Sequence, residues 1–318
     1  MATVSIGIDI GGTKIAGGVV DQGGQIVRRA RRDTPAQDPD AIAHTTADLI
    51  LELAAGADHI AGVGVACAGY IDKVGSTVLF APNLAWRDEP LKARLSSQVE
   101  LPVLIENDAN AAAYGEFLHG GGKAADDMIM MTVGTGVGGG IINDGNLVRG
   151  AFGFGGEIGH LRVMPDGLPC GCGKRGCLEA YGSGSALLRA ARKLVQSGAP
   201  EAAVLSQMCD GDVAALRGSH VTEAAKADDP AAIGLLADLG RWLGEAAASL
   251  SAVCDPELFV IGGGVADAGD LLLEPMRAAY RAQQPGLGQL PVAGFAGATL
   301  GNDAGVIGAA MLAMEIEA

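Results

Sequence analysis

The amino-acid sequence predicts an α/β protein built as two domains, and three observations carry that expectation. The chain has 318 residues, long for one domain and comfortable for two at roughly 150 residues each. Short apolar runs of the kind that form buried parallel strands alternate with stretches of helical periodicity. A strand, a glycine-rich turn and a returning strand occur near the N-terminus and again near the middle, each unit reaching a polar turn about ten residues after its glycine loop. The repetition reads either as a duplicated unit or as two unrelated hairpins.

The elements follow in order. Val4 to Ile10 reads as a strand, Gly11-Gly12 as a tight turn, and Lys14 to Val20 as the returning strand. Asp21-Gln22-Gly23-Gly24 turns the chain again, and Gln25 to Arg29 forms a third strand. Asp38 can cap the next helix, Pro39 suits its first position, and Ile42, Thr46, Leu49, Ile50 and Leu53 share one face. Ile60 to Ala66 and Leu101 to Glu106 are short buried strands, and Ala109 to His119 is a helix. Met128 to Val133 is a further strand, Gly134-Thr135-Gly136-Val137-Gly138-Gly139 a glycine-rich turn, and Gly140 to Ile142 extended chain before a hairpin turn at Asn143 to Asn146. Pro230 to Val253 is a long helix capped by Asp229, and Leu258 to Ile261 is a buried strand running into Gly262-Gly263-Gly264. Asn302-Asp303 can start a final helix with Val306, Ile307, Ala310, Met311 and Met314 on one side, a stripe that reads as core packing.

Charge excludes several classes of function. Against 37 Asp+Glu stand 22 Lys+Arg, a formal net charge of -15, so the chain lacks the basic face that nucleic acid or an anionic membrane surface requires. The longest uncharged run, 282–302, is interrupted by Gln, Pro and Gly, which argues against a membrane span. The N-terminus has neither the basic region nor the cleavage spacing of a secretory signal. Three of the six cysteines fall between 170 and 177 and the rest are scattered. That pattern implies one local thiol site in a cytoplasmic protein rather than a disulfide framework.

Five segments carry chemistry. In Asp9-Ile10-Gly11-Gly12-Thr13-Lys14 a strand ends on a carboxylate. Free amides and the Thr13 hydroxyl can hold phosphate oxygens, while Asp9 can reach Mg2+ or its water shell; an ordinary hairpin is the bland alternative. The second loop, Gly134 to Gly139, matches G-x-G-x-x-G, but extended chain rather than a helix follows it, which excludes dinucleotide binding. Lys123 and Lys174 follow glycines without a Ser or Thr after them, so a Walker A loop is absent. Two such loops suit two jaws on a polyphosphate. Gly262 to Gly264 lets a flat base lie against the backbone, or simply makes a tight turn. In Glu106-Asn107-Asp108-Ala109-Asn110, Asp108 is either a helix cap or a general base for phosphoryl transfer to an alcohol. Cys170-Gly171-Cys172 with Cys177, and His160 upstream, form a Cys3His set, the make-up of a closed structural zinc site. Glu157 and Glu179 flank it and would be held rigidly enough to recognise a polyhydroxyl ligand. Cys67, Cys209 and Cys254 read as packing, and His44, His59, His119 and His220 as surface residues.

Together these residues resemble the ROK family of repressors, open reading frames and sugar kinases, in particular its ATP-dependent kinases from actinobacteria. The resemblance covers essentially the whole chain. The family's metal segment C-x-C-G-x-x-G-C-x-E stands here as Cys170 to Glu179, with Glu157-x-Gly159-His160 upstream. The Asp9-x-Gly11-Gly12-Thr13 loop and Glu106-Asn107-Asp108 fit the same pattern. The resemblance implies an actin-like ATPase (ribonuclease H-like) fold of two α/β domains around a cleft. Residues 1–117 would form the smaller domain, joined by the C-terminal helix 301–318, and 118–300 the larger domain with the zinc loop.

It also implies a glucokinase activity, the MgATP-dependent phosphorylation of the glucose 6-hydroxyl that opens glycolysis. Asp108 would be the catalytic base. Asn83, Asn107, Asp108, Glu157, His160 and Glu179 would bind the sugar, His160 also holding structural Zn2+ with Cys170, Cys172 and Cys177. Asp9, Gly11, Gly12, Thr13, Lys14, Gly134, Thr135 and Gly136 would serve the phosphates, with Gly262, Gly263 and Gly264 near the adenosine. The partners implied are glucose, ATP and further copies of the chain in a homodimer or homotetramer. The rivals are a kinase of the same family for N-acetylglucosamine, mannose or fructose, and a sugar-sensing regulator without enzymatic activity. Repressors of the family carry a helix-turn-helix before the phosphate loop, whereas Asp9 is here the ninth residue, so the expectation favours the kinase.

Overall fold

The computed structural model describes residues 3–57, 59–81, 84–284, 286 and 288–316. The chain divides into two compact units: Met1–Met128 with Gly140–Gly156 and Thr299–Ala318, and Ile129–Gly139 with Glu157–Ala298.

In the first unit, β1 (Val4–Ile10), β2 (Lys14–Asp21) and β3 (Ile26–Asp33) form an antiparallel meander. β3 runs four residues beyond the expected Arg29. Its pairing with β2 continues to Lys14↔Asp33, and the ladder outweighs the reluctance of the Arg-rich segment to form a strand. Helix α1 (Pro39–Ala54) is capped by Asp38, whose carboxylate accepts from the Ala41 amide at 3.0 Å, and its expected apolar face is fully buried. β4 (Ile60–Cys67) lies parallel to β1. β5 (Tyr70–Ile71), β6 (Val78–Ala81) and β7 (Trp86–Glu89) form a small separate sheet. Helix α2 (Leu91–Ser96) leads to β8 (Val103–Asn107), parallel to β4, and α3 (Asp108–His119) leaves its end. The strand order is β3-β2-β1-β4-β8.

The second sheet contains β9 (Met128–Val133), β10 (Val137–Asn143) and β11 (Asn146–Leu147). After the cysteine loop come α4 (Glu179–Gly182), α5 (Gly184–Gln196), α6 (Ala203–Met208), α7 (Gly218–Lys226) and α8 (Pro230–Cys254). β12 (Leu258–Gly262), α9 (Asp270–Gln283), β13 (Gly294–Gly297) and α10 (Ala304–Met314) complete the chain. This sheet has the order β11-β10-β9-β12-β13. Each large sheet thus places a three-strand run in reverse sequence order beside two later strands, which a duplicated unit explains and two unrelated hairpins do not. β10 starts at Val137, so Gly138 and Gly139, expected in the turn, belong to a strand.

Helix α10 is the keystone of the first unit. Val306, Ile307, Ala310 and Met311 are buried, as their spacing predicts, and Met314 is half-buried. The helix touches the sheet backbone to backbone. A Cβ on Gly7 would lie 1.8 Å from the Val306 carbonyl oxygen, and one on Gly64 1.8 Å from that of Ala309. On the other side a Cβ on Gly308 would lie 1.7 Å from the Ala111 carbonyl oxygen in α3. The buried Glu116 fixes the approach to α10: its carboxylate accepts from the amides of Gly121, Thr299 and Leu300 at 2.7, 3.0 and 2.7 Å.

The glycines of this contact separate from ordinary helix glycines in a simple test. Gly64→Ala destabilises the chain by about 3 kcal/mol, because backbone has nowhere to go. Gly234→Ala, exposed in α8 with no atom within 4 Å of the new methyl, stabilises it by about 1 kcal/mol. Urea denaturation of both variants reads the difference; similar effects from the two would contradict the packing described.

Candidate active site

The first unit gathers one set of the predicted residues at the C-terminal ends of its parallel strands, where α/β sheets commonly bind ligands. Register pairs Asp9 with Ala66, and Cys67 with both Ile10 and Asn107, so these strand ends lie level. The loop after Asp9 is closed by a hydrogen bond from the Gly11 amide to the Lys14 carbonyl at 2.9 Å. Thr34 braces it, its hydroxyl donating to the Gly11 carbonyl at 2.7 Å. Gly12 and Thr13 are exposed at its tip. Such a loop presents backbone N–H groups to an anion.

Capping of α3 is done by Asn107, whose side-chain oxygen accepts from the Asn110 amide at 3.0 Å. Asp108 is therefore not the cap. It stands at the first helical position, accepting from the Ala109 amide at 2.9 Å and from the Asn107 side-chain amide at 3.2 Å. Burial pushes its carboxyl above the ordinary range, against the pull of those donors. Asp9 lies beside the first turn of α10, a Cβ on Gly305 being 3.3 Å from its Oδ2. Burial first, then the charge of Asp108, raises Asp9 to about 6, with Lys14 opposing. Asn83 lies outside the described residues.

The second unit gathers the other set. The loop Gly134 to Gly136 is closed by the Gly134 amide donating to the Gly136 carbonyl at 3.0 Å. Its carbonyls receive the Gly184 amide at 2.7 Å and the Ser185 hydroxyl at 2.7 Å, which docks the N-terminus of α5 against it. Gly263, at φ 84°, approaches β9 so closely that a Cβ would lie 2.5 Å from the Val133 carbonyl oxygen. These pieces enclose a cavity of about 750 Å³ lined by Gly134, Thr135, Gly184, Ser185 and Gly264, with Ser219, Thr222, Glu223 and Lys226 from α7 and Asp267. Such a volume suits a nucleoside-sized molecule. Gly262 and Gly263 pack behind the cavity, and Gly264 lines it. The α5 and α7 contributions are not apparent from the sequence: Ser183-Gly184-Ser185 is a capping signal at most, and the polar side of α7 looks like any solvated helix face.

The cysteine loop lies in the same unit. Ligand atoms of His160, Cys170, Cys172 and Cys177 all lie within 4.8 Å of one another. Cys172 and Cys177 sulfurs are 3.7 Å apart, and Cys170 Sγ is 3.7 Å from His160 Nδ1. Two ligands about 2.3 Å from one ion at a tetrahedral angle stand roughly 3.8 Å apart, so the donor set fits zinc. Burial, with neighbouring thiols, pushes Cys170 up to about 12 without a cation, and Cys172 is lowered despite burial by the Lys174 amide and the other thiols. A bound cation would relieve that crowding by taking thiolates. The other His160 nitrogen, Nε2, stands 4.0 Å from Glu157 Oε2. Glu179 lies 3.6 Å from Cys170 Sγ and accepts from the Val137 amide at 3.3 Å. Elsewhere, His220, expected at the surface, is buried and accepts from the Arg217 guanidinium at 3.1 Å.

Comparison with known proteins places the whole chain. A model of the ROK family matches residues 5–316. A glucokinase of Streptomyces coelicolor is 46% identical over 98% of this chain and 98% of its own length. One from Halalkalibacterium halodurans is 39% identical over 98% of this chain and 95% of its own. The solved structure of a ROK family glucokinase from Streptomyces griseus, in complex with glucose and AMPPNP, matches with a TM-score of 0.87 at 46% identity, covering 98% of this chain and 99% of that one.

The raised Asp9 makes stability depend on pH with a definite sign. Unfolded, Asp9 titrates at 3.8; folded, at about 6. Between those values the folded chain holds the extra proton, so the stability Asp9 contributes is present below the window and lost as pH rises through it. Relative to wild type, Asp9→Asn therefore gains stability from about pH 4 to about pH 6 and then levels off, by about 3 kcal/mol in total. Chemical denaturation of both proteins across that range measures the gap, and a gap independent of pH would contradict the burial of Asp9.

Proposed function

The chain belongs to the ROK family, and we propose that it is a glucokinase transferring the γ-phosphoryl group of ATP to the 6-hydroxyl of glucose. Its fold is the actin-like ATPase (ribonuclease H-like) fold of the ROK sugar kinases. The 6-oxygen attacks the γ-phosphorus, its proton passes to the Asp108 carboxylate, and the bond to the leaving oxygen of ADP breaks. The observation that carries this role is the capping of α3 by Asn107, which leaves the Asp108 carboxylate, made more basic by burial, at the strand end.

Asn107, Glu157, His160 and Glu179, with Asn83, hold the remaining hydroxyls; carboxylates accept from them and the amide and imidazole complete the fixed pattern. Backbone amides of Gly11, Gly12, Thr13, Gly134, Thr135 and Gly136, with Lys14, hold the phosphates. The cavity beside Gly264 takes the adenosine, with Gly262 and Gly263 shaping its wall. Asp9 would hold Mg2+ or its water shell, and that ion when bound offsets charge on the β- and γ-phosphates. His160, Cys170, Cys172 and Cys177 would hold Zn2+ with every position filled by protein, a structural role. The chain acts as a cytoplasmic homodimer or homotetramer. Support for self-association comes from Phe152 and Phe154, exposed at 75% and 43% in a chain with few aromatics. Among the described residues no helix is long and apolar enough to cross a membrane.

A coupled ADP-release assay with MgATP tests the reading. Glucose turns over at least about tenfold faster, as kcat/KM, than N-acetylglucosamine, mannose or fructose, and the same preparation contains about one zinc per chain. Preference for another hexose would move the substrate, and absence of turnover on every hexose by zinc-replete protein would overturn the enzyme.

A further inference from the structure

We propose that Arg149 is a positioning residue for the catalytic strand end, holding Asn107 and Asp108 through the carboxylate of Glu106. The inference rests on the reading of Asp108 as the base. Arg149 Nε donates to Glu106 Oε2 at 2.6 Å. The carboxylate of Glu106 is only 6% exposed and Arg149 30%, so this pair is withdrawn from water in a way that ordinary surface ion pairs are not.

The other oxygen of Glu106 does the positioning. Oε1 accepts from the Asn107 amide at 2.9 Å and from the Asn110 side chain at 3.0 Å. Asn107 in turn caps α3 and donates from its side chain to the Gly69 carbonyl at 3.1 Å and to Asp108 Oδ1 at 3.2 Å. Arg149 is thus two residues removed from the reacting carboxylate and acts on it through a continuous run of hydrogen bonds.

Arg149 is itself fixed by backbone. The Val148 amide donates to Ile141 at 2.8 Å, and the Arg149 carbonyl accepts from the Gly155 amide at 3.0 Å, closing the loop that leads on to Glu157. Gly153 anchors that loop, a Cβ there lying 2.1 Å from the Ile71 carbonyl oxygen. Charge supplies a second reason for an arginine. Asp9, Glu106 and Asp108 all act on the buried Cys67 thiol and raise it, so three carboxylates share this end of the sheet. Asp9 has Lys14 against it, and Arg149 offsets Glu106. Without it the neighbouring carboxylates would repel in a poorly solvated place.

Steady-state kinetics with MgATP and glucose, beside melting temperatures, tests this on wild type, Arg149→Met, Arg149→Lys, Glu106→Gln and the Glu106→Gln/Arg149→Met pair. Arg149→Met lowers kcat by about 30-fold while KM for ATP stays within about threefold. Arg149→Lys, which keeps a cation opposite Glu106, recovers about tenfold of that loss, and the pair is no slower than the slower single variant, because both act through one link. A kcat for Arg149→Met within about threefold of wild type, or a loss that lysine does not relieve, would overturn the inference. Should Arg149→Met fail to fold, wild-type kcat in Glu106→Gln would overturn it equally. Wild type without turnover would remove the reading of the site and this inference together, whereas active wild type with unaffected variants removes the inference alone.

Discussion

The first unit depends on one constraint: at Gly7 and Gly64 no side chain of the strand separates the backbone of β1 and β4 from that of α10. Gly7 and Gly64 bring the strands to carbonyl contact with Val306 and Ala309, and Gly308 brings α3 to the opposite side. Helix and sheet are normally spaced by interdigitated side chains, and at these glycines a hydrogen atom takes the place of one. Three elements are thereby fixed with little slack. Asp9 is carried at the end of β1 beside the first turn of α10, and Asp108 at the start of α3, which α10 clamps from behind. Glu116 completes the clamp through three hydrogen bonds that its carboxylate accepts from backbone amides at the end of α3 and the entry to α10. Rigid elements holding acidic groups at strand ends are what positioning for catalysis asks of a scaffold.

Electrostatics at those strand ends follow from crowding. Burial raises Asp9 and Asp108, and the charge of Asp108 raises Asp9 further. A raised carboxyl is a better proton acceptor when ionised, and an ion bound at Asp9 would offset the charge that raises it. Cys67, buried among these groups, is driven well above its ordinary value by burial and by their charges. It is an inert packing thiol rather than a nucleophile. The same crowding gives Arg149 its significance, as the cation that offsets the third carboxylate.

Much of this was legible in the sequence. The strands β1, β2, β4 and β8 stand out as short apolar runs, α1 announces itself by Asp38-Pro39, and the α10 stripe by its spacing. The cysteine cluster was legible because its three cysteines lie within one short loop, where spacing nearly determines geometry. Three things were not. Asn107 and Asp108 are adjacent and both good caps, and only the angle at which β8 enters α3 decides between them. The extent of β3 is set by its ladder with β2, a partner the local Arg-rich composition does not reveal. The α7 side chains along the cavity, and Arg149 against Glu106, are brought to their partners by contacts distant in sequence, so nothing local distinguishes them from solvated polar residues.

Comparison of Asp108→Asn with wild type, by single-site turnover of glucose and by calorimetric glucose binding on the same protein, tests the central claim most directly. Asparagine preserves the shape and the partners of the side chain but cannot take a proton. The account predicts that kcat falls by about a thousandfold while the dissociation constant for glucose changes by less than about fivefold. A variant that binds glucose and keeps kcat within about tenfold of wild type would contradict the assignment of Asp108 as the base.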